Sequence, residues 1–285
     1  MARLRSKGAT MDLVRRHNIT ARKKFGQNFL TDDSVLDKIV EAAGVCDKDH
    51  VIEIGPGPGA LTERLAEHAG FVTAIEIDPQ MIPALEEILG DKDNVRVICA
   101  DVLKTDMGAI AEKLPDKDLK VVANLPYYIT TPIVTGLLES GIRYKSITVM
   151  VQTEVAARMQ TGPGSKDYGA LSLAVQYYSK PEIVTDVPPE AFIPRPGVGS
   201  SVIRLDLYDK PPVSVSDEAL MFRIIKASFM QRRKTLQNAL KNNPDVRIPA
   251  EKTSAALQQM GADPMIRGEA LTLEQFAQFT DLIKG

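Results

Sequence analysis

The sequence predicts an α/β fold: a mostly parallel, helix-covered sheet followed by a small all-helical region. Two observations carry this. From residue 51 to residue 152, short apolar runs alternate with helical stretches of about ten residues, the pattern of βαβ units. After residue 210 the strand-like runs stop and helical periodicity remains. The composition, 44% hydrophobic and 25% charged over 285 residues, is that of a globular chain with room for one large and one small domain.

The elements follow in order. Residues 32–44 place Val35, Ile39, Ala42 and Ala43 at helical spacing, with Asp32 or Asp33 as cap and Gly44 as stop, which predicts a helix. VIEI (51–54) reads as the first strand, followed by a glycine-rich turn and a helix over 61–69. FVTAIEI (71–77) is the second strand, with a helix over 79–89, and NVRVICA (94–100) is the third. LKVVAN (119–124) is the fourth, with a helix over 131–140, and SITVMVQ (146–152) is the fifth. ALSLAVQYY (170–178) and SSVIRLDLY (200–208) predict an antiparallel strand pair added at the sheet edge. The domain reading is therefore a basic arm over 1–24, a sheet domain over 25–209 and a helical domain over 210–285. Residues 1–24 read as a mobile arm or a loosely attached helix. In the helical domain Ile225, Phe229, Leu236 and Leu240 are expected on one side of a helix, flanked by Lys226 and Arg233.

The net charge of -2 announces no polyanion partner, but its distribution does more. Residues 1–24 carry Arg3, Arg5, Lys7, Arg15, Arg16, Arg22, Lys23 and Lys24 against Asp12 alone, and Lys226, Arg232, Arg233, Lys234 and Lys241 follow one another without an acid. Such runs form either a polyanion-binding face or ordinary solvated surface. Cys46, Cys99, His17, His50 and His68 are scattered without metal-ligand spacing. We expect no metal site and no disulfide, which suits a reducing cytosol. No apolar run reaches the ~18 residues of a membrane helix, and the basic N-terminus lacks the apolar stretch of a secretory signal.

The turn after the first strand is Gly55-Pro56-Gly57-Pro58-Gly59-Ala60. Glycines let backbone approach a ligand, and the following helix points free N–H groups at it. Alone the turn fits a dinucleotide fingerprint or the turn of S-adenosylmethionine enzymes. Glu76 ends the second strand, where an acid can accept both ribose hydroxyls of either cofactor. Asp101 follows the third strand, where it can accept from an adenine amino group or merely cap a turn. Ligands of such sheets bind at the carboxyl ends of the strands, where all three features lie.

The fourth strand ends in Asn124-Leu125-Pro126-Tyr127-Tyr128, which resembles the signature of methyltransferases acting on nucleobase amino groups. An exocyclic adenine amine is a poor nucleophile because its lone pair is delocalised into the ring. Two acceptors on its hydrogens favour the pyramidal form, and the Asn124 side-chain oxygen and the Pro126 carbonyl are the candidates. Tyr127 offers a stacking face, worth ~1–3 kcal/mol. The methyl group then passes in line from sulfonium to nitrogen, with catalysis coming mainly from positioning and desolvation. A base in a duplex must be flipped to reach the pocket. Phe192, in a loop stiffened by Pro194 and Pro196, is the candidate for the second aromatic, or else a core residue.

KKFGQNFL (23–30), EIGPGPGALT (53–62), NLPYYITTP (124–132), GSKDYGALSLAVQ (164–176), FIPRPGVGSSV (192–202) and KASFMQRRKTL (226–236) resemble, in this order, the KsgA-type small-subunit ribosomal RNA adenine dimethyltransferases. The resemblance covers roughly residues 20–285. It implies a Rossmann-like class I S-adenosylmethionine-dependent methyltransferase sheet with a small all-helical C-terminal domain that binds RNA or the ribosome. It implies that Asn28 and Leu30 contact S-adenosylmethionine together with Gly55, Glu76, Asp101 and Asn124, and that Tyr127 and Phe192 flank a flipped base. The implied reaction places two methyls on each of two adjacent adenines near the 3′ end of 16S RNA. The implied substrate is a nearly assembled small ribosomal particle in the cytoplasm, and nothing calls for more than a monomer. Gly199 stands where many members carry Asp. The rival readings are a resistance methyltransferase acting on a large-subunit adenine, a non-enzymatic assembly or transcription factor, a nicotinamide dehydrogenase and a DNA methyltransferase.

Overall fold

The computed structural model describes residues 4, 6–22, 25–113 and 116–285. Arg3, Arg5, Lys23 and Lys24 of the basic arm lie outside the described residues. The described residues of that arm, 4 and 6–22, pack onto the fold. Helix α1 (Lys7–Arg16) is capped by Ser6, whose side chain accepts from the Ala9 N–H. Leu4, Leu13 and Ile19 are buried in the hydrophobic core. The Leu4 N–H donates to the buried Glu63 at 2.8 Å, and Arg64 donates to the Leu4 carbonyl at 3.1 Å. Three apolar anchors spread over sixteen positions make no visible stripe, yet they hold the segment down. Two of its arginines also pair with acids beyond the segment: Arg16 with Glu87 at 2.5 Å and Arg22 with Asp78 at 3.2 Å.

Strand β1 (Phe29–Leu30) leads into α2 (Asp33–Ala43). Asp32 caps this helix by accepting from the Ser34 N–H at 3.0 Å, and Gly44 ends it in the left-handed region at φ 56°, as cap and stop were read. The alternation follows: β2 (Asp49–Ile54), α3 (Ala60–His68), β3 (Phe71–Glu76), α4 (Ile82–Leu89), β4 (Val95–Cys99), α5 (Met107–Ala111), β5 (Asp118–Asn124), α6 (Thr130–Leu138) and β6 (Ser146–Gln152). Helices α7 (Thr153–Gln160) and α8 (Ala170–Tyr178) come next, then β7 (Ser179–Val187), β8 (Phe192–Ile193) and β9 (Ser200–Leu207). The main sheet has the order β4-β3-β2-β5-β6-β9-β7. Its first five strands are parallel and β9 runs antiparallel to β6.

One strand was misassigned. Residues 170–178 form a helix, and the edge strand beside β9 is 179–187. A nine-residue apolar run suits a buried helix as well as a strand, and Leu171, Leu173, Ala174, Val175 and Tyr177 are all buried. The true strand alternates buried and exposed positions, and it tolerates Pro181 because it is an edge.

The described residues divide into two compact units, 1–156 with 181–207 and 157–180 with 208–285. The second unit holds α8, α9 (Glu218–Met230), α10 (Leu236–Lys241), α11 (Ala250–Gln259) and α12 (Leu273–Lys284). Its core includes Tyr168, Phe222, Phe276 and Phe279. The single helix expected through Ile225 and Leu240 is two: α9 stops at Met230, and Thr235 restarts the chain by capping α10. A Thr side chain competes well for such a cap. Ile225, Leu236 and Leu240 are buried all the same. No helix among the described residues is long and apolar enough to cross a membrane.

Candidate active site

The strand order reverses between β2 and β5, and a doubly wound sheet opens a crevice at the carboxyl ends of such a pair. β2 lies between β3 and β5 and is buried along its whole length, its polar Asp49, His50 and Glu53 included. It ends at Gly55, which takes φ 70° and which a side chain would strain. Gly57 and Gly59 are left-handed too, at φ 56° and 93°. A Cβ on Gly57 would stand 3.4 Å from the Phe29 ring.

A cleft opens here, about 820 Å³ with its solvent mouth included. Its lining brings together Asn28, Leu30, Gly55, Glu76, Asn124, Pro126, Tyr127 and Phe192. These eight come from five separate stretches of sequence. Asp101 does not line the cleft. It follows β4, accepts from the Leu103 N–H at 3.0 Å and so caps the turn 102–104, with Lys104 3.6 Å away.

Glu76 ends β3 almost wholly buried. One carboxylate oxygen accepts from the Gly57 N–H at 3.0 Å and the other from the Asp78 N–H at 2.8 Å. Burial pushes its pKa up, and the two backbone N–H groups hold it back. Each oxygen keeps a lone pair for a further donor, which is what a ribose diol needs. Glu53, on β2 beneath the turn, has Oε2 without a hydrogen-bond partner. Burial pushes its pKa up to about 8, with the charge of Glu76 adding to the shift. The donor set therefore fits S-adenosylmethionine: acids toward a cation and a diol, and glycine backbone where the ligand must come close.

On the opposite wall, Asn124 ends β5 and its side-chain nitrogen donates to the Asn28 carbonyl at 3.2 Å. The Tyr127 hydroxyl shares a hydrogen bond with Ser200 at 2.8 Å, which fixes its ring. Phe192 is 3% exposed and lines the cleft, so the core reading and the cleft reading describe the same residue. The Pro126 carbonyl has another task than the one expected: it accepts from the Ile129 N–H and the Thr130 hydroxyl, both at 3.2 Å. With both lone pairs engaged in starting α6, it is a poor acceptor for an amine. The neighbouring Leu125 carbonyl accepts no hydrogen bond among the described residues.

Sequence reasoning missed the other wall residues Phe25, Gln27, Phe29 and Ile77. Gln27 and Phe29 lay inside the quoted FGQNFL motif without being given a role. Ile77, an apolar residue just after the strand-ending acid, left a signal in its 39% exposure only once the fold was known.

A switch-point cleft with a glycine turn, a buried acid at the second strand end and Asn-Leu-Pro-Tyr at the fourth defines a class I S-adenosylmethionine-dependent methyltransferase. The chain belongs to the ribosomal RNA adenine dimethylase family, whose model matches residues 18–284. It is 55% identical over 285 residues to the ribosomal RNA small subunit methyltransferase A of Lachnoclostridium phytofermentans, covering 99% of this chain and 98% of that one. The protein of the same name from Bacillus licheniformis is 49% identical over 278 residues, covering 96% and 95%. Among solved structures, a dimethyladenosine transferase from Plasmodium falciparum superposes with a TM-score of 0.74 at 26% identity, covering 88% of this chain and 95% of that one. The 23S rRNA methyltransferase ErmE gives a TM-score of 0.65 at 27% identity, covering 90% and 100%.

Proposed function

We propose that the chain transfers methyl groups from S-adenosylmethionine to the N6 amines of two adjacent adenines near the 3′ end of small-subunit ribosomal RNA. The product is N6,N6-dimethyladenosine. The observation that carries this reading is the sharing of one cleft by Asn124 and Tyr127 with Asn28, Gly55 and Glu76. The target is an adenine within the assembling small subunit. The protein acts in the cytoplasm as a monomer, with residues 25–209 as the methyltransferase domain and 210–285 as the domain that holds RNA or the ribosome. The arm over 1–24 adds basic charge.

S-adenosylmethionine supplies an electrophilic methyl on a cationic sulfur that departs as a neutral thioether. Glu76 accepts from the ribose hydroxyls. Asp101, outside the cleft's lining, is the acid after β4 that the family resemblance assigns to the adenine amino group of the cofactor. Asn28 and Leu30 close the cleft from the N-terminal side. The Asn124 oxygen and the Leu125 carbonyl accept from the two hydrogens of the target amine, which frees its lone pair. Tyr127 and Phe192 hold the base, and the apolar wall keeps water from the amine.

The test is methyl transfer from labelled S-adenosylmethionine to unmethylated small and large ribosomal subunits, followed by nuclease digestion. Label as N6,N6-dimethyladenosine in the small subunit alone is expected. Label in large-subunit RNA would move the chain toward the activity that the name of ErmE states.

A further inference from the structure

Asp78 follows the cofactor acid by two residues in a turn, and a turn Asp ordinarily caps nearby N–H groups while staying wet. Its side chain is 0% exposed. Oδ1 caps the Gln80 N–H at 3.1 Å and pairs with the Arg22 guanidinium at 3.2 Å. Oδ2 accepts from the Gln27 side chain at 3.0 Å. The Gln27 oxygen in turn accepts from the Arg22 N–H at 2.7 Å. On its other side, the Asp78 N–H donates to Glu76, whose second oxygen takes the Gly57 N–H. Capping requires only the bond to Gln80. The remaining bonds join Arg22, Gln27, the acid Glu76 and the glycine turn through one buried residue.

The far end of that segment is fixed independently. Asn124 holds the Asn28 carbonyl, and Phe29 and Leu30 pair with Ile193 and Phe192. Residues 25–30 all line the cleft, as a strap tied down at both ends.

We propose that Asp78 is a positioning residue for the cofactor: it sets Gln27 of the strap and Glu76 as one unit, so that strap closure and ribose capture occur together. The proposal rests on the methyltransferase reading. If it holds, the effect of Gln27 on the cofactor depends on Asp78, and the two residues do not contribute independently.

The experiment uses the full chain and S-adenosylhomocysteine, with affinity from calorimetry and hydrogen exchange of amides 25–30. Asp78→Asn should weaken binding about tenfold or more, as expected for a lost bond to a charged group. Gln27→Ala should weaken it several-fold, and the double variant should bind no worse than Asp78→Asn alone. The ligand should protect amides 25–30 in the wild type and fail to do so in Asp78→Asn, while kcat at saturating cofactor changes little. Multiplicative losses in the double variant, or ligand-induced protection intact in Asp78→Asn, would reduce Asp78 to a turn cap. If Asp78→Asn does not fold, Gln27→Ala and Arg22→Gln decide the matter: both should lower affinity and strap protection together, and unchanged values overturn the proposal. A wild type that binds no S-adenosylhomocysteine overturns the methyltransferase reading and this one with it.

Discussion

The Asn124 side chain reaches across the cleft to the Asn28 carbonyl at 3.2 Å, so the residue that ends β5 also anchors the strap. Its nitrogen is committed to that bond, which leaves its oxygen as the acceptor for a substrate amine. Asn124→Ala should therefore lose both services. We expect kcat to fall by about 100-fold or more, as when one preorganised polar group is removed, and cofactor binding to weaken several-fold. The folded state should survive. Methyl transfer in single turnover, calorimetry and circular dichroism check the three parts, and near-normal transfer would sink the proposed role.

Tyr127 separates stacking from orientation. Tyr127→Ala should cost ~1–3 kcal/mol of base stacking, about 5- to 150-fold in kcat/KM. Tyr127→Phe keeps the ring and loses only the bond to Ser200, about 1 kcal/mol. Equal losses in the two variants would show that the hydroxyl, not the ring, matters.

The basic triplet after α9 is not uniform. Arg232 donates to the Tyr168 carbonyl at 3.1 Å, meets Glu269 at 3.3 Å and lies over the Phe229 ring. Arg233 and Lys234 are exposed and have no ion pair among the described residues. Arg232→Ala should cost about 1 kcal/mol of stability with little change in the salt dependence of RNA binding. Arg233→Glu and Lys234→Glu should leave the melting temperature alone and each lower the salt slope by about 1. Thermal melts and binding titrations at several salt concentrations distinguish them, and the reverse assignment would overturn this division.

Glu53 makes stability depend on pH. Its folded pKa, about 8, stands above the ordinary 4.5, so the folded chain holds a proton that the unfolded chain has lost. This contribution is complete below pH 4.5 and disappears as pH rises through about 8. The upward shift of Glu76 acts in the same direction. Glu53→Gln should flatten the decline between pH 5 and 8 and melt above the wild type at the alkaline end. Parallel melting curves would show that Glu53 ionises without penalty. Cofactor affinity in the wild type should rise over the same range, because a bound cation favours the carboxylates.

The sequence exposed most of what chemistry requires to be local. Gly55, Glu76 and Asn124 stand at strand ends, and the alternation that places strands also places them. Six of the eight cleft residues could be gathered because FGQNFL, the glycine turn and NLPYY are each compact in sequence, and Glu76 and Phe192 followed from a strand end and a proline-stiffened loop. What was illegible depends on distant partners. Nothing near Pro126 says that Ile129 and Thr130 occupy its carbonyl, although a proline opening a helix is a hint. Arg232 looks like its neighbours until Tyr168 and Glu269 are beside it. The error at 170–178 has the same origin, because an apolar run does not reveal whether neighbours cover it on one side or all around. The N-terminal segment misled for the opposite reason, since its charges outnumber its three anchors.

The strap and its partner strand lie at opposite ends of the first unit's sequence: Thr31 bonds to the Ala191 carbonyl, 160 residues away. During synthesis the strap emerges first and its partner almost last. The glycine turn, Glu76 and Asn124 have all left the ribosome before the cleft can close. A nascent chain cut short before Phe192 would carry nearly every residue proposed to contact the cofactor and still lack the wall that keeps them in place. The cleft is thus complete only when the ribosome making the chain has nearly finished this unit.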